Sequence, residues 1–250
     1  MTTPITRISV EGVSKSFPRH RGHRLLRDHF KEIFRRRVDG RFHALRNVSL
    51  TVRAGDSVAL VGANGAGKST LLGIIAGLAE PDSGAVAVNG RIAALLELGL
   101  GFQPDLTGRE NIRLNASLLG MSRRETLERS DSIIAFAGVD DFIDEPLRTY
   151  SSGMTMRLAF AVAMNVQPDI VLIDEVMVVG DAAFQAKCLE RIREFRKAGA
   201  VVVLVSHSAA AVRELCDKAV WLDHGEVMMT GAVGKVLDAY AGRYMTASTT

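Results

Sequence analysis

Gly62-Ala63-Asn64-Gly65-Ala66-Gly67-Lys68-Ser69-Thr70 lies between a short buried-strand pattern, residues 57–61, and a segment, 68–76, that is helical by composition. Its spacing of glycines, lysine and hydroxyl is that of a phosphate-binding loop. Glycines let the backbone curl until successive amides and a helix N-terminus point at a β-phosphate. Lys68 adds a cation near the β and γ oxygens, and the Ser69 hydroxyl is placed to ligate Mg²⁺. The competing reading is a glycine-rich turn with a chance lysine, and the strand before and helix after argue against it. The stretch predicts a nucleoside triphosphate site on an α/β core.

Outward from this loop, residues 5–13 and 47–53 alternate apolar and polar side chains, as half-buried strands do. Residues 85–88, followed by Asn89-Gly90, read as a strand ending in a turn. Thr107 with Glu110 and Ser122 with Glu125 have capping-box spacing, which predicts two helix starts in a helical insert over about 107–145. Then come a helix from about Ser152, an apolar strand 170–173, a helix 184–198, a strand 201–205 and a helix from about Ser208. A hairpin turning at His224-Gly225 and a short helix 233–240 close the pattern, and 243–250 reads as a flexible tail. Strands alternating with helices predict a parallel sheet.

Three further groups carry chemistry. Asp174-Glu175 stands at the C-terminal end of strand 170–173, where open α/β sheets place ligands. Asp174 would hold Mg²⁺, directly or through water, and Glu175 would polarise the attacking water for in-line displacement. Taken alone, the pair could equally cap a strand end and face solvent. Tyr150-Ser151-Ser152-Gly153-Met154 puts hydroxyls and a glycine at a helix start, which is either an anion site or an ordinary serine cap. His207 follows strand 201–205, where it could donate to a γ-phosphate and hold the attacking water, although a lone histidine there is usually structural.

In this order and approximate spacing, with the loop Val179-Gly180-Asp181, these elements resemble the nucleotide-binding subunit of an ABC transporter, over residues 5 to about 240. The family's usual signature is Leu-Ser-Gly-Gly-Gln, so Tyr150, Ser152 and Met154 depart from it while Ser151 and Gly153 keep the positions that contact the γ-phosphate. This variant, followed by Arg157-Leu158-Ala159-Phe160-Ala161, resembles the branch that energises export of lipid-linked polysaccharides such as O-antigen, teichoic acid or cell-wall galactan. Glu175-Val176-Met177-Val178-Val179-Gly180-Asp181 with Phe184-Gln185 is similar to that branch too.

The resemblance implies an ABC ATPase fold over 1–242: a RecA-like P-loop core, an antiparallel β-subdomain and a helical subdomain over about 107–160. It implies catalytic Glu175 and His207, a D-loop at Gly180 and Asp181, and adenine stacking by Phe17, with His43 in reserve. The residue that usually supplies a glutamine to magnesium and to the membrane subunit falls at Glu97 or Gln103. ATP and Mg²⁺ would be bound between two copies of the chain, each phosphate loop facing Tyr150 to Met154 of the other. That homodimer would work beneath two copies of a polytopic permease, peripheral to the cytoplasmic face of the bacterial inner membrane. The lipid-linked glycan would be reached through the permease. Some exporters of the branch append a carbohydrate-binding domain, and none is expected after residue 250.

Composition fits this picture. Across 250 residues, 47% hydrophobic and 24% charged are values of an ordinary globular chain, not a disordered one. No apolar run approaches the roughly 18–20 residues of a bilayer span, and no export signal is expected at the N-terminus. The two cysteines form no metal or redox spacing, which fits a reducing cytoplasm. The net charge of +3 is concentrated: residues 19–41 hold nine Lys or Arg against three Asp or Glu, so the remainder is slightly acidic. There Leu26, Phe30, Ile33 and Phe34 share one helical face beside Arg24, Arg27, Lys31 and Arg35, which predicts a basic amphipathic helical insertion. It would lie at an anionic membrane surface or pack on its own domain. Alternative functions are an exporter of lipid or drugs, a soluble ABC-type ATPase, and a kinase, which would leave Ser151 and Gly153 without a purpose. No aromatic platform accompanies the arginines, so no nucleic-acid partner is expected.

Overall fold

The structure, a computed structural model, describes residues 5–18, 41–96, 98–174 and 180–247. At its centre is β3 (Ser57–Val61), whose five residues are all buried. Successive side chains on a strand point to opposite faces. Accordingly, Ala59 and Val61 enter one apolar cluster, and Val58 and Leu60 another. A strand apolar on both faces belongs inside a covered parallel sheet. Six strands form that sheet, in the order β5 (Ile92–Leu95), β6 (Ile170–Asp174), β7 (Val201–Val205), β3, β8 (Lys218–Asp223) and β9 (Glu226–Ala232). Every neighbouring pair is parallel except β8 with β9.

One face is covered by α1 (Lys68–Ile75) and by a three-stranded antiparallel sheet. Its order is β2 (Arg41–Arg53), β1 (Thr6–Pro18) and β4 (Ser83–Val88). The other face is covered by α4 (Ser152–Met164), α5 (Ala182–Lys197), α6 (Ala209–Leu215) and α7 (Val233–Ala247). A third cluster joins α2 (Gly108–Leu118), α3 (Arg123–Ala137) and the middle of α4 through Ile112, Ile133, Leu158 and Val162. α4 therefore belongs to two cores: Phe160 and Met164 face the sheet while Leu158 and Val162 face α2 and α3.

Both predicted capping boxes form. The hydroxyls of Thr107 and Ser122 accept the amides of Glu110 and Glu125, whose carboxylates accept the cap amides at 2.8 and 2.7 Å. These amides hold both carboxyls below their ordinary pKa. A cap of this kind is worth about 1 kcal/mol.

Two expectations change, and a third falls largely outside the described residues. β1 and β2 are longer than 5–13 and 47–53, because they pair along their length until Pro18 stands opposite Arg41. Residues 19–40 are thus inserted between two cross-strand neighbours. The amphipathic helix expected at 19–41 lies outside the described residues except for Arg41, which is strand. The tail expected from Arg243 is instead helical to Ala247. Arg243 Nη2 lies 3.0 Å from an Asp223 carboxylate oxygen, and its guanidinium sits 5.5 Å from the Trp221 ring centre, which ties that turn of α7 to β8.

Cys188 on α5 and Cys216 after α6 are both buried and unbonded, and burial pushes each thiol up to about 12. Among the described residues no helix is long and apolar enough to cross a membrane.

Candidate functional site

Because β6, β7 and β3 are parallel neighbours, their C-terminal ends emerge along one edge. Asp174 pairs with Val205, and Leu60 pairs with Val205 from the other side. The phosphate loop follows β3, Asp174 ends β6, and His207 follows β7, so three positions far apart in sequence converge. A cleft of about 340 Å³ opens there, lined by Asn64, Gly65, Gly67, Lys68, Ser69 and Thr70 with Asp174, Val205 and His207. Phe42 and Ala44 of β2 form its remaining wall.

The loop keeps its shape for steric reasons. A Cβ on Gly62 would stand 2.2 Å from the Leu222 carbonyl oxygen, and one on Gly67 would stand 2.4 Å from that of Ala44. Gly67, at φ 102°, is also the N-cap of α1, so the first amides of the helix open toward the cleft. Lys68 is buried, and its ammonium donates to the carbonyls of Gly62 and Ala63 at 2.8 and 3.0 Å. The loop is thus closed around a cation. Ser69 and Asp174 bring a hydroxyl and a carboxylate to the same cleft, a hard oxygen set suited to Mg²⁺.

Tyr150 to Met154 stand elsewhere, and none of the five lines the cleft of its own chain. Tyr150 is turned into the helical core, where its hydroxyl donates to the Phe142 carbonyl at 2.7 Å and fills the space beside Gly108. Burial, first, raises its pKa. Ser151 is the N-cap of α4 and accepts the Met154 amide at 3.2 Å. Ser151 and Ser152 are exposed, and a Cβ on Gly153 would meet nothing closer than the Ser151 hydroxyl, at 3.8 Å. α4 thus presents a free N-terminal turn to the surface while Tyr150 anchors the approach to it. Asp181, after Gly180, caps α5 by accepting the Phe184 amide at 2.9 Å.

Glu175 and Glu97 lie outside the described residues. Gln103 is exposed, its backbone bound to the Asn111 side chain, and it is not part of the cleft. Leu95 pairs with Ile173, so β5 ends beside the strand that delivers Asp174. Neither Phe17 nor His43 lines the cleft. Phe17 stands directly opposite Phe42 across β1 and β2, 41% exposed, with the Lys15 ammonium 5.7 Å from its ring centre. The aromatic wall facing the phosphate loop is Phe42, which the sequence did not single out.

The chain matches the ABC transporter family over residues 45–178. It is 45% identical over 237 residues to the O-antigen export system ATP-binding protein RfbB of Klebsiella pneumoniae, covering 93% of this chain and 96% of that protein. It is 42% identical to the teichoic acids export ATP-binding protein TagH of Bacillus cereus, over 85% of this chain and 39% of that longer one. Among solved structures, a dimeric ATP-binding cassette in a post-hydrolysis state with ADP and phosphate superposes with a TM-score of 0.70 at 23% identity, covering 90% of this chain and 98% of that one.

Proposed function

This chain belongs to the ABC transporter family, whose ATP-binding subunits hydrolyse ATP to drive transport, and from that premise we propose that it powers export of a lipid-linked, polyprenyl-diphosphate-borne polysaccharide. The observation that carries the catalytic reading is the division of the site. Phosphate loop, Asp174 and His207 share one cleft, while Ser151 and Gly153 sit outside it on a free helix N-terminus. A second copy of the chain brings that N-terminus to the phosphate, and two ATP are enclosed at a symmetric interface.

Each residue then has a task. Amides of the loop and Lys68 hold the β- and γ-oxygens. Ser69 and Asp174 would hold Mg²⁺, which when bound offsets charge on those oxygens. Glu175 takes a proton from the attacking water, and His207 donates to the γ-phosphate. Ser151 and Gly153 amides complete the pocket in trans. Gly180-Asp181, at the capped start of α5, lies on the segment that follows Glu175 and joins that dimer face. For the residue that would meet magnesium and the permease, the end of β5 beside the strand of Asp174 supports Glu97 over Gln103.

Phe42 stacks on adenine. Phe42→Ala is expected to weaken ATP binding about tenfold, from a loss of about 1–3 kcal/mol of stacking, and to leave inorganic tripolyphosphate unaffected. Calorimetric titration with both ligands checks this. Equal loss of both would place the base elsewhere.

The substrate class rests on relatives named for O-antigen and teichoic acid export, matched across most of this chain. Two copies of a polytopic permease would carry the polymer, with this subunit peripheral on the cytoplasmic side of the inner membrane. The basic segment 19–41 would lie at the anionic surface, where each cation contributes about 1 kcal/mol. The test is reconstitution of the chain with its co-purified permease in vesicles. A polyprenyl-diphosphate glycan is expected to stimulate ATP hydrolysis and to become sequestered in the lumen. Equal stimulation by phospholipid alone would overturn the assignment.

A further inference from the structure

The hairpin of β8 and β9 turns in two residues: Asp223 pairs with Glu226, and His224 and Gly225 both have positive φ, 48° and 84°. Two positive values in a two-residue turn are what the twist of a tight hairpin demands. The tip does more than reverse the chain. The Gly225 amide donates to the Ala66 carbonyl of the phosphate loop at 3.1 Å, and the Gly225 carbonyl accepts the Arg46 amide of β2 at 2.8 Å. A Cβ on Gly225 would stand 2.7 Å from the Ala44 carbonyl oxygen and 3.0 Å from the Leu45 Cα. Just before the turn, the Leu222 carbonyl closes against Gly62. One glycine therefore joins, by main chain alone, the loop that receives phosphates and the strand whose Phe42 and Ala44 wall the same cleft.

We propose that Gly225 is a positioning residue for the nucleotide: it sets the separation between the β2 wall that receives the base and the loop that receives the phosphates. The proposal rests on the ATP reading above. A nucleotide holds base and triphosphate at a separation fixed by its ribose. A site engages both ends at once only if its own two halves are held at that spacing in advance. Backbone hydrogen bonds from the buried Gly225 hold it more rigidly than a rotatable side chain. The hairpin is itself moored, because Asp223 is bound by Arg243 of α7.

The test compares ATP with inorganic tripolyphosphate, both with Mg²⁺, on the full chain. In Gly225→Ala the added methyl must push Ala44 and Leu45 of β2 away from the turn that is hydrogen-bonded to the phosphate loop, so ATP is expected to bind about tenfold more weakly and tripolyphosphate within about twofold of wild type. Equal weakening of both ligands, or no change in either, overturns the proposal. A wild-type chain that binds neither overturns the nucleotide reading itself, and the proposal with it. If Gly225→Ala does not fold, Arg243→Gln decides by the same comparison. It frees the mooring without touching the bridge, and about threefold weaker ATP with unchanged tripolyphosphate is expected. An effect of Arg243→Gln on both ligands, or on neither, overturns the proposal.

Discussion

Gly153→Asp is expected to abolish ATP hydrolysis, by at least about 100-fold, in a chain that still folds and still binds ATP. The two halves of that expectation have opposite physical origins. Gly153 is the second residue of α4, after the Ser151 cap, and a side chain there meets only open space beyond the Ser151 hydroxyl. A carboxylate in the first turn complements the helix dipole by about 0.3–1 kcal/mol, so the melting temperature should hold or rise. The same carboxylate would stand where the partner's γ-phosphate is meant to arrive. Two like charges about 4 Å apart at an effective dielectric of about 20 repel by about 4 kcal/mol, which is ample for the loss. Because these residues do not line the cleft of their own chain, ATP binding to one copy should survive. Light scattering should show no ATP-driven dimer. Normal turnover by Gly153→Asp would remove the in-trans reading altogether.

Glu175→Gln is expected to slow hydrolysis by at least about 100-fold while retaining ATP, through loss of the group that accepts the proton from water. Its phenotype differs from the first in the assembly. With chemistry blocked but the interface intact, ATP should accumulate a stable dimer of twice the chain mass, readily separated by size. Combining the two substitutions should return the protein to single copies, since the dimer then lacks its anion site. A Glu175→Gln chain that hydrolyses ATP at the normal rate would take the proton-accepting role from this residue.

How much of this was legible in the sequence depended on whether a feature is enforced locally. The phosphate loop was readable because Gly62, Gly65 and Gly67 take positive φ within the loop itself, at 151°, 78° and 102°, and Lys68 and Ser69 stand at a helix start. The capping boxes at Thr107 and Ser122 were readable for the same reason, each closing within four residues. β5 left no trace in the pattern, since Ile92-Ala93-Ala94-Leu95 is short and without alternation, and only pairing with β6 makes it a strand. Phe42 was missed because the wall of the cleft depends on the register between β1 and β2, which shifts twice between Val13 and Ser16. Phe17 had the expected place in the chain but not in the cleft. The last turns of α7 were misread because the partner of Arg243 lies on β8, outside any local window.

Cys188 and Cys216 are the whole thiol content of the chain, and both are shielded. Alkylating reagents attack the thiolate, so groups pushed to about 12 react sluggishly at neutral pH. The native molecule is in effect a blank background for fluorophores or spin labels. One engineered cysteine on the outer turn of α4 would report the gap between two such turns in real time, through every cycle of nucleotide turnover.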